Sequence, residues 1–264
     1  MRKRKYLIGA TLALATSVAV AALAQAAVTG QTLTVSVTAK KQDKKVAGPA
    51  DINVTVDTAE TPPTPAAQTA SQTVVDFDKD FKFTPGNLKT CNASTLAGTT
   101  TAQAQAACPG SQVGTGAATL CSALGGCAAT PGGGIQGVVT AFNGVPSGGS
   151  PTIVLHARFG PPANTTTVLT GVLGASPLGA PYGKRLTVTV PDTALTGLHL
   201  THFQTAIPKL KTKKGKKGKP SKYYVMAKCS HKVWNFSETT TFRAGGATQS
   251  AHTTQACKQK KKKK

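Results

Sequence analysis

The chain has 264 residues, with 31 Lys and Arg against 9 Asp and Glu, and a formal net charge of +22. Most of this charge lies at residues 2–5 and in three later runs, 40–45, 209–222 and 258–264, so the rest of the chain is close to neutral. This distribution argues against the basic groove of a nucleic-acid-binding domain, whose charge is carried by the folded body.

The first 26 residues have the three parts of a secretory signal peptide. A basic segment, Arg2–Lys5, precedes an apolar run, and Ala24-Gln25-Ala26 forms a small-x-small cleavage site. We expect cleavage after Ala26, with cleavage after Ala24 as the alternative. An uncleaved membrane anchor is disfavoured because the run is rich in Ala and Thr and ends in a processing signature. The expected product is secreted, free or associated with the cell wall, with no integral membrane span after signal cleavage.

Beyond the signal peptide, strict alternation of apolar and polar residues predicts half-buried strands. The segment 33–39, for example, places Leu33, Val35 and Val37 on one face and Thr and Ser on the other. Strands are predicted at 33–39, 52–58, 72–77, 135–142, 152–159, 165–173, 185–191, 199–207, 222–229, 231–243 and 248–256. Only 93–107 has a composition that tolerates a helix.

About ten short strands with closely spaced Gly and Pro turns predict an all-β sandwich of the immunoglobulin-like or jelly-roll type. The Pro-rich segment 59–71 is either a loop within this sandwich or a linker between domains. The loop is favoured because the residues before it are too few for an independent core. We therefore expect one domain over residues 27–257, followed by a polylysine tail at 258–264.

The six cysteines predict disulfide bonds, as is typical of exported proteins. Fifteen pairings are open to six cysteines, and the sequence does not choose among them. Order and proximity favour three pairs: Cys91–Cys108, Cys121–Cys127 and Cys229–Cys257.

Patterns that would carry catalysis or bind a metal are weak in this sequence. The acidic cluster Asp76, Asp78 and Asp80 departs from the calcium-binding EF-hand loop at its sixth and twelfth positions, and favours a polar outer strand face opposite a Phe-lined inner one. His199 and His202 are three apart in a predicted strand, which places them on opposite faces and argues against a shared metal. Nucleophile elbow, zinc-protease and phosphate-loop motifs are absent. No cofactor, metal or enzymatic activity is expected.

The segment 209–222 contains eight lysines and no aromatic residue. One interpretation is a solvated hairpin loop, and the other is a salt-sensitive contact with a polyanion. The second lysine run, at the C-terminus, favours the interpretation as a polyanion contact, since two runs at one end of the fold would act together. The candidate polyanion-binding residues are Lys211, Lys213, Lys214, Lys216, Lys217, Lys219, Lys260, Lys261 and Lys262.

Several stretches in a fixed order give the chain a recognisable pattern, most specifically LKTC followed by ACPGSQVGTG, and later AKCSHKVW followed by a cysteine. In these the chain resembles a group of uncharacterised secreted β-sandwich proteins of high-GC actinobacteria. The resemblance implies a disulfide at each of those two places, in agreement with Cys91–Cys108 and Cys229–Cys257. It does not cover Cys121 and Cys127, and it implies no catalytic or ligand-binding residue.

The expected function is that of a secreted, non-enzymatic protein that contacts anionic cell-wall polymers through its lysine segments, without specific nucleic-acid recognition. The alternative is a carbohydrate- or protein-recognition module that uses sandwich-edge loops, for which an exposed Trp234 would be the supporting residue. A hydrolase is a third hypothesis, and it requires a pocket lined by Asp192, His199 or His202. The sequence leaves the ligand, the oligomeric state and the strand order open.

Overall fold

A computed structural model describes residues 28–39, 42–60, 69–122, 127, 133–190, 198–214, 221–243 and 247–260. The predicted signal peptide, 1–26, lies outside the described residues. So do most of the 59–71 segment, the centre of the lysine-rich loop and the last four lysines.

Strands account for most of the described chain, because alternating β-branched and small polar residues suit a pleated, half-buried surface. In chain order the strands are β1 Val28–Thr38, β2 Gly48–Pro49, β3 Asp51–Glu60, β4 Ala70–Asp78, β5 Phe81–Phe83, β6 Gln112–Ser122, β7 Ile135–Ser147, β8 Ser150–Phe159, β9 Thr166–Ala175, β10 Tyr182–Thr189, β11 Leu198–Ile207, β12 Lys211–Lys213, β13 Lys222–Tyr223, β14 Val225–Ala227, β15 Val233–Phe242 and β16 Thr248–Ala256. The helical elements are a short 3₁₀ helix, Ala93–Leu96, and α1, Thr101–Ala107.

Eleven strands form one antiparallel sheet in the order β1-β3-β11-β6-β7-β8-β9-β10-β4-β15-β16. The sheet curls until its two outer strands meet. There the Val37 N–H donates to Gln255 Oε1 at 2.6 Å, and Gln255 Nε2 donates to the Val37 carbonyl at 2.9 Å. One side chain thus provides edge hydrogen bonds that a neighbouring strand would otherwise supply. We call this element the rolled sheet.

The core lies inside the rolled sheet, between its opposed halves. On β1, Leu33, Val35 and Val37 are buried while the residues between them are exposed, as the alternation predicts. One buried cluster joins side chains from strands on opposite sides of the roll. The all-β, disulfide-bonded fold is therefore confirmed, and its two facing layers are halves of one continuous sheet.

A second, smaller core lies outside the roll, under the helical segment. Leu96 and Ala104 pack there against Phe142 and Val154, beside the Cys91–Cys108 disulfide. Because the helices cover this part of the sheet, β8 is buried on both faces at 152–157. Thr100 caps α1 through its side chain. The helix-tolerant composition of 93–107 is thus confirmed as two short helices.

Strand β6 is absent from the sequence-based strand set. Its glycines and alanines have low strand propensity, so the sequence pattern did not predict a strand here. The structure explains Gly116: a Cβ at this position would lie 1.8 Å from the Gln204 carbonyl oxygen on β11. Close approach of two backbones, rather than side-chain propensity, selects the residue here.

The three disulfides that order and proximity favour are all present: Cys91–Cys108, Cys121–Cys127 and Cys229–Cys257. The last joins the segment after β14 to the residue after β16. It therefore fixes the beginning of the C-terminal lysine run to the folded body.

One end of the roll is closed by small sheets. These are the three-stranded sheet β2-β14-β5 and the hairpin β12–β13. Beneath them Phe81 packs edge-on against Trp234 and Phe236, with ring centroids 5.4 Å apart in both pairs. The predicted strand 222–229 is divided into β13 and β14 at Tyr224, which is fully buried.

Candidate functional site

The antiparallel strand order brings the three lysine-rich runs to the same end of the roll. The run at 40–45 lies between β1 and β3, the run at 209–222 between β11 and β15, and the C-terminal run follows β16. In the sheet register, the end of β1 meets the start of β3, whose first residues pair with the end of β11. We call this end, which the small sheets close, the basic end.

Backbone hydrogen bonds join two of these runs directly. The Gln42 N–H donates to the Lys258 carbonyl, and the Lys260 N–H donates to the Gln42 carbonyl, each at 2.8 Å. The Cys229 N–H donates to the Asp43 carbonyl at 2.9 Å. The two runs therefore have a fixed relative position, attached to the segment that follows β14.

The base of the third run is anchored by Tyr224. Its N–H donates to the Leu210 carbonyl and its carbonyl accepts from the Thr84 N–H, both at 2.8 Å. Its ring is fully buried, and this burial raises the pKa of the phenol. Tyr224 thus holds the lysine-rich loop on the body and is not available as a stacking platform.

Every lysine that the structure describes lies at the basic end. Lys184 and Lys228 are half-buried and the others are exposed. They are Lys44, Lys45, Lys79, Lys82, Lys89, Lys184, Lys209, Lys211, Lys213, Lys214, Lys222, Lys228, Lys232, Lys258 and Lys260. At the opposite end, the described basic residues are Arg158 and Arg243.

Within the described ranges, two of these lysines have a carboxylate oxygen within ion-pair distance. Lys209 Nζ lies 2.8 Å from Asp51 Oδ2, and Lys228 Nζ lies 3.5 Å from Asp80 Oδ1. The remaining carboxylates of this end accept hydrogen bonds from other donors, as Asp43 does from two backbone N–H groups. The acidic residues of the basic end are therefore engaged within the protein, and most of its lysine charge is not paired.

The sequence-based placement of three aspartates on a polar outer face is wrong. Asp76, Asp78 and Asp80 are all buried, at 2 % exposure or less. Asp76 forms a two-point ion pair with Arg185, with both N–O distances 2.8 Å. Asp78 Oδ2 accepts from the backbone N–H and the side-chain amide of Asn235, each at 3.0 Å.

Asp80 is fully buried and fixes the segment that precedes β15. It accepts from the Ser230 N–H at 2.6 Å and from Ser230 Oγ at 2.7 Å. Buried carboxylates are tolerated only when such donors satisfy them. The sequence showed the alternation but not these partners, which come from β10, from β15 and from the segment before β15. Over the described residues, no group of three His, Cys, Asp or Glu side chains could hold a metal ion.

Four of the predicted polyanion-binding residues, Lys211, Lys213, Lys214 and Lys260, are described and exposed at the basic end. The other five, Lys216, Lys217, Lys219, Lys261 and Lys262, lie outside the described residues. The sequence-based set omitted isolated lysines that belong to the same surface, including Lys79, Lys82, Lys89 and Lys232. Only the strand order shows that their loops meet the lysine runs.

Trp234 does not provide an exposed aromatic surface. It is 2 % exposed, and its indole Nε1 donates to the Lys228 carbonyl at 2.7 Å. This agrees with the simpler interpretation of its segment as a core strand. Trp234 therefore does not support the alternative of a recognition module.

His199 and His202 differ in what they face, because His199 lines a cavity inside the roll and His202 is not among the residues that line it. A bulge in β11 leaves Thr201 without a partner in the register with β6. In this register His199 pairs with Cys121 and His202 with Thr119, on either side of the bulge.

The two histidines have different surroundings. His199 is buried, and burial lowers its pKa to about 4 because it disfavours the charged imidazolium. His202 is half-buried and its Nδ1 lies 2.6 Å from Asp57 Oδ1. Asp192, the third residue of the hydrolase hypothesis, lies outside the described residues.

The interior of the rolled sheet contains a cavity of about 160 Å³. Its lining is mainly Val, Leu, Ile, Ala and Phe, contributed by β3, β4, β5, β6, β8, β9, β10, β11 and β15. Leaving such a volume unfilled costs roughly 4 kcal/mol at about 24 cal/mol per Å³. This is a large fraction of the stability of a typical domain, about 5–15 kcal/mol.

Comparisons with protein-family models, with curated protein sequences and with solved structures found no match to this chain. The helices that the structure describes are too short and too polar for any of them to cross a membrane.

Proposed function

We propose that this is an exported, non-enzymatic protein that associates with anionic polymers of the cell envelope through its basic end. The observation that carries the proposal is the gathering of every described lysine at one end of the roll, where the nearby carboxylates are already engaged. A polyanion bound there would replace many small counterions, whose release favours association.

The cell envelope is the proposed location because three features support export. The expected signal peptide would direct the chain out of the cytoplasm. The three disulfides are typical of proteins that fold in oxidising compartments. The resemblance to secreted actinobacterial proteins also supports export. It further suggests that the protein meets a cell wall that contains anionic polymers.

The lysines favour charge-based association over recognition of a particular sugar or base. They are long, flexible and exposed, and no aromatic side chain lies among the described residues 209–214. Exposed charges are screened over about 8 Å at physiological ionic strength. Binding through the basic end should therefore weaken steeply as salt is added.

The test is retention of the mature protein on isolated cell walls across a salt gradient. The variant with Lys211→Gln, Lys213→Gln and Lys214→Gln removes three positive charges without touching the backbone bonds of the C-terminal run. A second variant, truncated after Lys260, removes only the last four lysines. We expect both to elute at lower salt than the parent protein, and their combination to lose retention.

The matched control makes the same change in net charge at the opposite end of the roll. It combines Arg158→Gln, Asn164→Asp and Gln136→Glu, where Arg158 is half-buried near the end of β8 and Gln136 is exposed near the start of β7. We expect this control to elute with the parent. Equal loss in both triple variants would show a response to net charge alone and would overturn a localised surface. Retention that resists high salt would instead support the recognition module, and no retention at any salt would remove the proposed function.

A further inference from the structure

We propose that the interior cavity of the rolled sheet is a binding site for a small hydrocarbon ligand that carries one neutral hydroxyl group. This site is separate from the basic end, and its existence does not depend on the proposed association with polyanions.

The first argument is the size and character of the cavity. At about 160 Å³ it is comparable with an engineered cavity of roughly 150 Å³ that stays dry and binds benzene. Its walls are apolar over most of their area, so water in most of this space would lack hydrogen-bond partners. A ligand of about six to ten carbon atoms would restore the dispersion contacts that the lining side chains lack.

The second argument is that small side chains keep the space open. Ala118 on β6 and Ala157 on β8 both line the cavity and are almost fully buried. Each alanine lies opposite a larger residue on the neighbouring strand: Phe203 is opposite Ala118, and Val139 is opposite Ala157. A longer side chain at position 118 or 157 would contact that residue. The cavity thus reflects the choice of alanine at interior positions where strands normally place branched residues.

The third argument is a group of polar side chains at one side of the cavity. Gln31, Thr58, Thr73 and Thr240 all line it. Thr58 Oγ1 donates to Gln31 Oε1 at 3.0 Å, and the hydroxyls of Thr73 and Thr240 lie 2.8 Å apart. Ligand sites usually combine an apolar lining with a few convergent polar groups of this kind.

The hydrogen bonds of this group leave capacity for a ligand. Among the described residues, the Gln31 amide nitrogen makes two long contacts, 3.4 Å to Glu238 Oε1 and 3.4 Å to Thr240 Oγ1. A hydroxyl can both accept from this amide and donate to a threonine oxygen. An anionic ligand is disfavoured because the described residues that line the cavity include no Lys or Arg to pair with its charge, and the buried Glu238 carboxyl contacts Gln31 and Thr240.

The experiment compares three probes of similar shape: benzyl alcohol, toluene and benzoate. Binding to the mature protein is measured by isothermal titration calorimetry and by the shift in melting temperature. We expect benzyl alcohol to bind most tightly, toluene about tenfold more weakly, and benzoate without detectable affinity. No binding of benzyl alcohol or toluene up to their solubility limits would overturn the proposal.

Two variants test whether the probes bind inside the cavity. Ala157→Leu adds three carbon atoms to the lining and should weaken both benzyl alcohol and toluene at least tenfold. The matched control, Ala175→Leu at the exposed end of β9, should leave both affinities unchanged. If Ala157→Leu fails to fold, Ala118→Val makes a smaller change in the same cavity and serves the same purpose.

The role of the polar group at one side of the cavity is tested with Thr73→Val, which keeps the shape of the side chain but removes its hydroxyl. It should weaken benzyl alcohol and leave toluene unchanged. Unaltered binding in the cavity variants would place the probes elsewhere and overturn the inference. Equal affinities of benzyl alcohol and toluene for the parent protein would overturn the assignment of a hydroxyl-bearing ligand.

Discussion

Glu238 is a fully buried carboxyl group in the interior of the roll, and it should make the stability of the protein depend on pH. Burial raises its pKa from 4.5 to about 7, while hydrogen bonds from Thr240 and Gln31 act in the opposite direction. Its second carboxylate oxygen, Oε2, has no hydrogen-bond partner among the described residues. The charged form is therefore poorly accommodated, and the side chain takes up a proton more readily in the folded than in the unfolded state.

The sign of the effect follows from linkage. The folded-state pKa lies above the unfolded one, so the stabilising contribution is complete below about pH 4.5 and is lost as the pH rises through about 7. A separation between 4.5 and about 7 corresponds to a loss of about 3 kcal/mol in the free energy of unfolding. Glu238→Gln replaces the carboxyl group by an amide that does not titrate, so the variant should lack this loss.

The assay is urea denaturation of the parent protein and Glu238→Gln at several pH values from about 4.5 to 8. The difference between their unfolding free energies should move by about 3 kcal/mol in favour of the variant over this range. Asp43→Asn is the control. Backbone hydrogen bonds lower the pKa of Asp43, so its contribution changes only in acid and its offset from the parent should be constant above about pH 5. Parallel curves for the parent and Glu238→Gln would refute a raised pKa for Glu238.

Three further predictions concern the fold itself. Asp80→Ala should lower the free energy of unfolding by about 3 kcal/mol, because it leaves the half-buried backbone N–H and hydroxyl of Ser230 without their acceptor; a loss below about 1 kcal/mol in denaturant titration would contradict this role. Gln255→Leu should cost about 2 kcal/mol, since both backbone groups of Val37 lose their partner at the meeting edges of the sheet, and hydrogen exchange at the Val37 amide should accelerate; unchanged protection of that amide would show that the edge is closed by other contacts. Replacing Cys91 and Cys108 by serine should cost about 3 kcal/mol in the chain-entropy account of a loop of this length; thermal melting of the double variant under oxidising conditions measures it, and an unchanged melting temperature would exclude this stabilisation.

Much of the fold could be predicted from local patterns. Alternation in segments such as 33–39 and 52–58 identified strands, because the side-chain period of a strand is two residues and one face is buried. Proximity favoured the three cysteine pairs that the structure contains. Strand β6 was missed because its glycines are selected by the approach of β11, a contact between segments about ninety residues apart in the chain.

The error at the aspartate cluster has a physical cause. Asp76, Asp78 and Asp80 alternate like exposed residues, yet they are buried because Arg185, Asn235 and Ser230 reach them from segments distant in the chain. Local periodicity states which residues share a face, but not what covers that face.

The sequence alone determined the strand character of the chain and the concentration of its charge in lysine-rich runs, and it favoured three cysteine pairs by their proximity in the chain. These features are local, since each depends on residues that lie near one another in the chain. The tertiary structure decided that the runs and isolated lysines share one end of the roll, and that a cavity lies within it. Both follow from the strand order and the curl of the sheet, which arise from contacts between segments far apart in the chain.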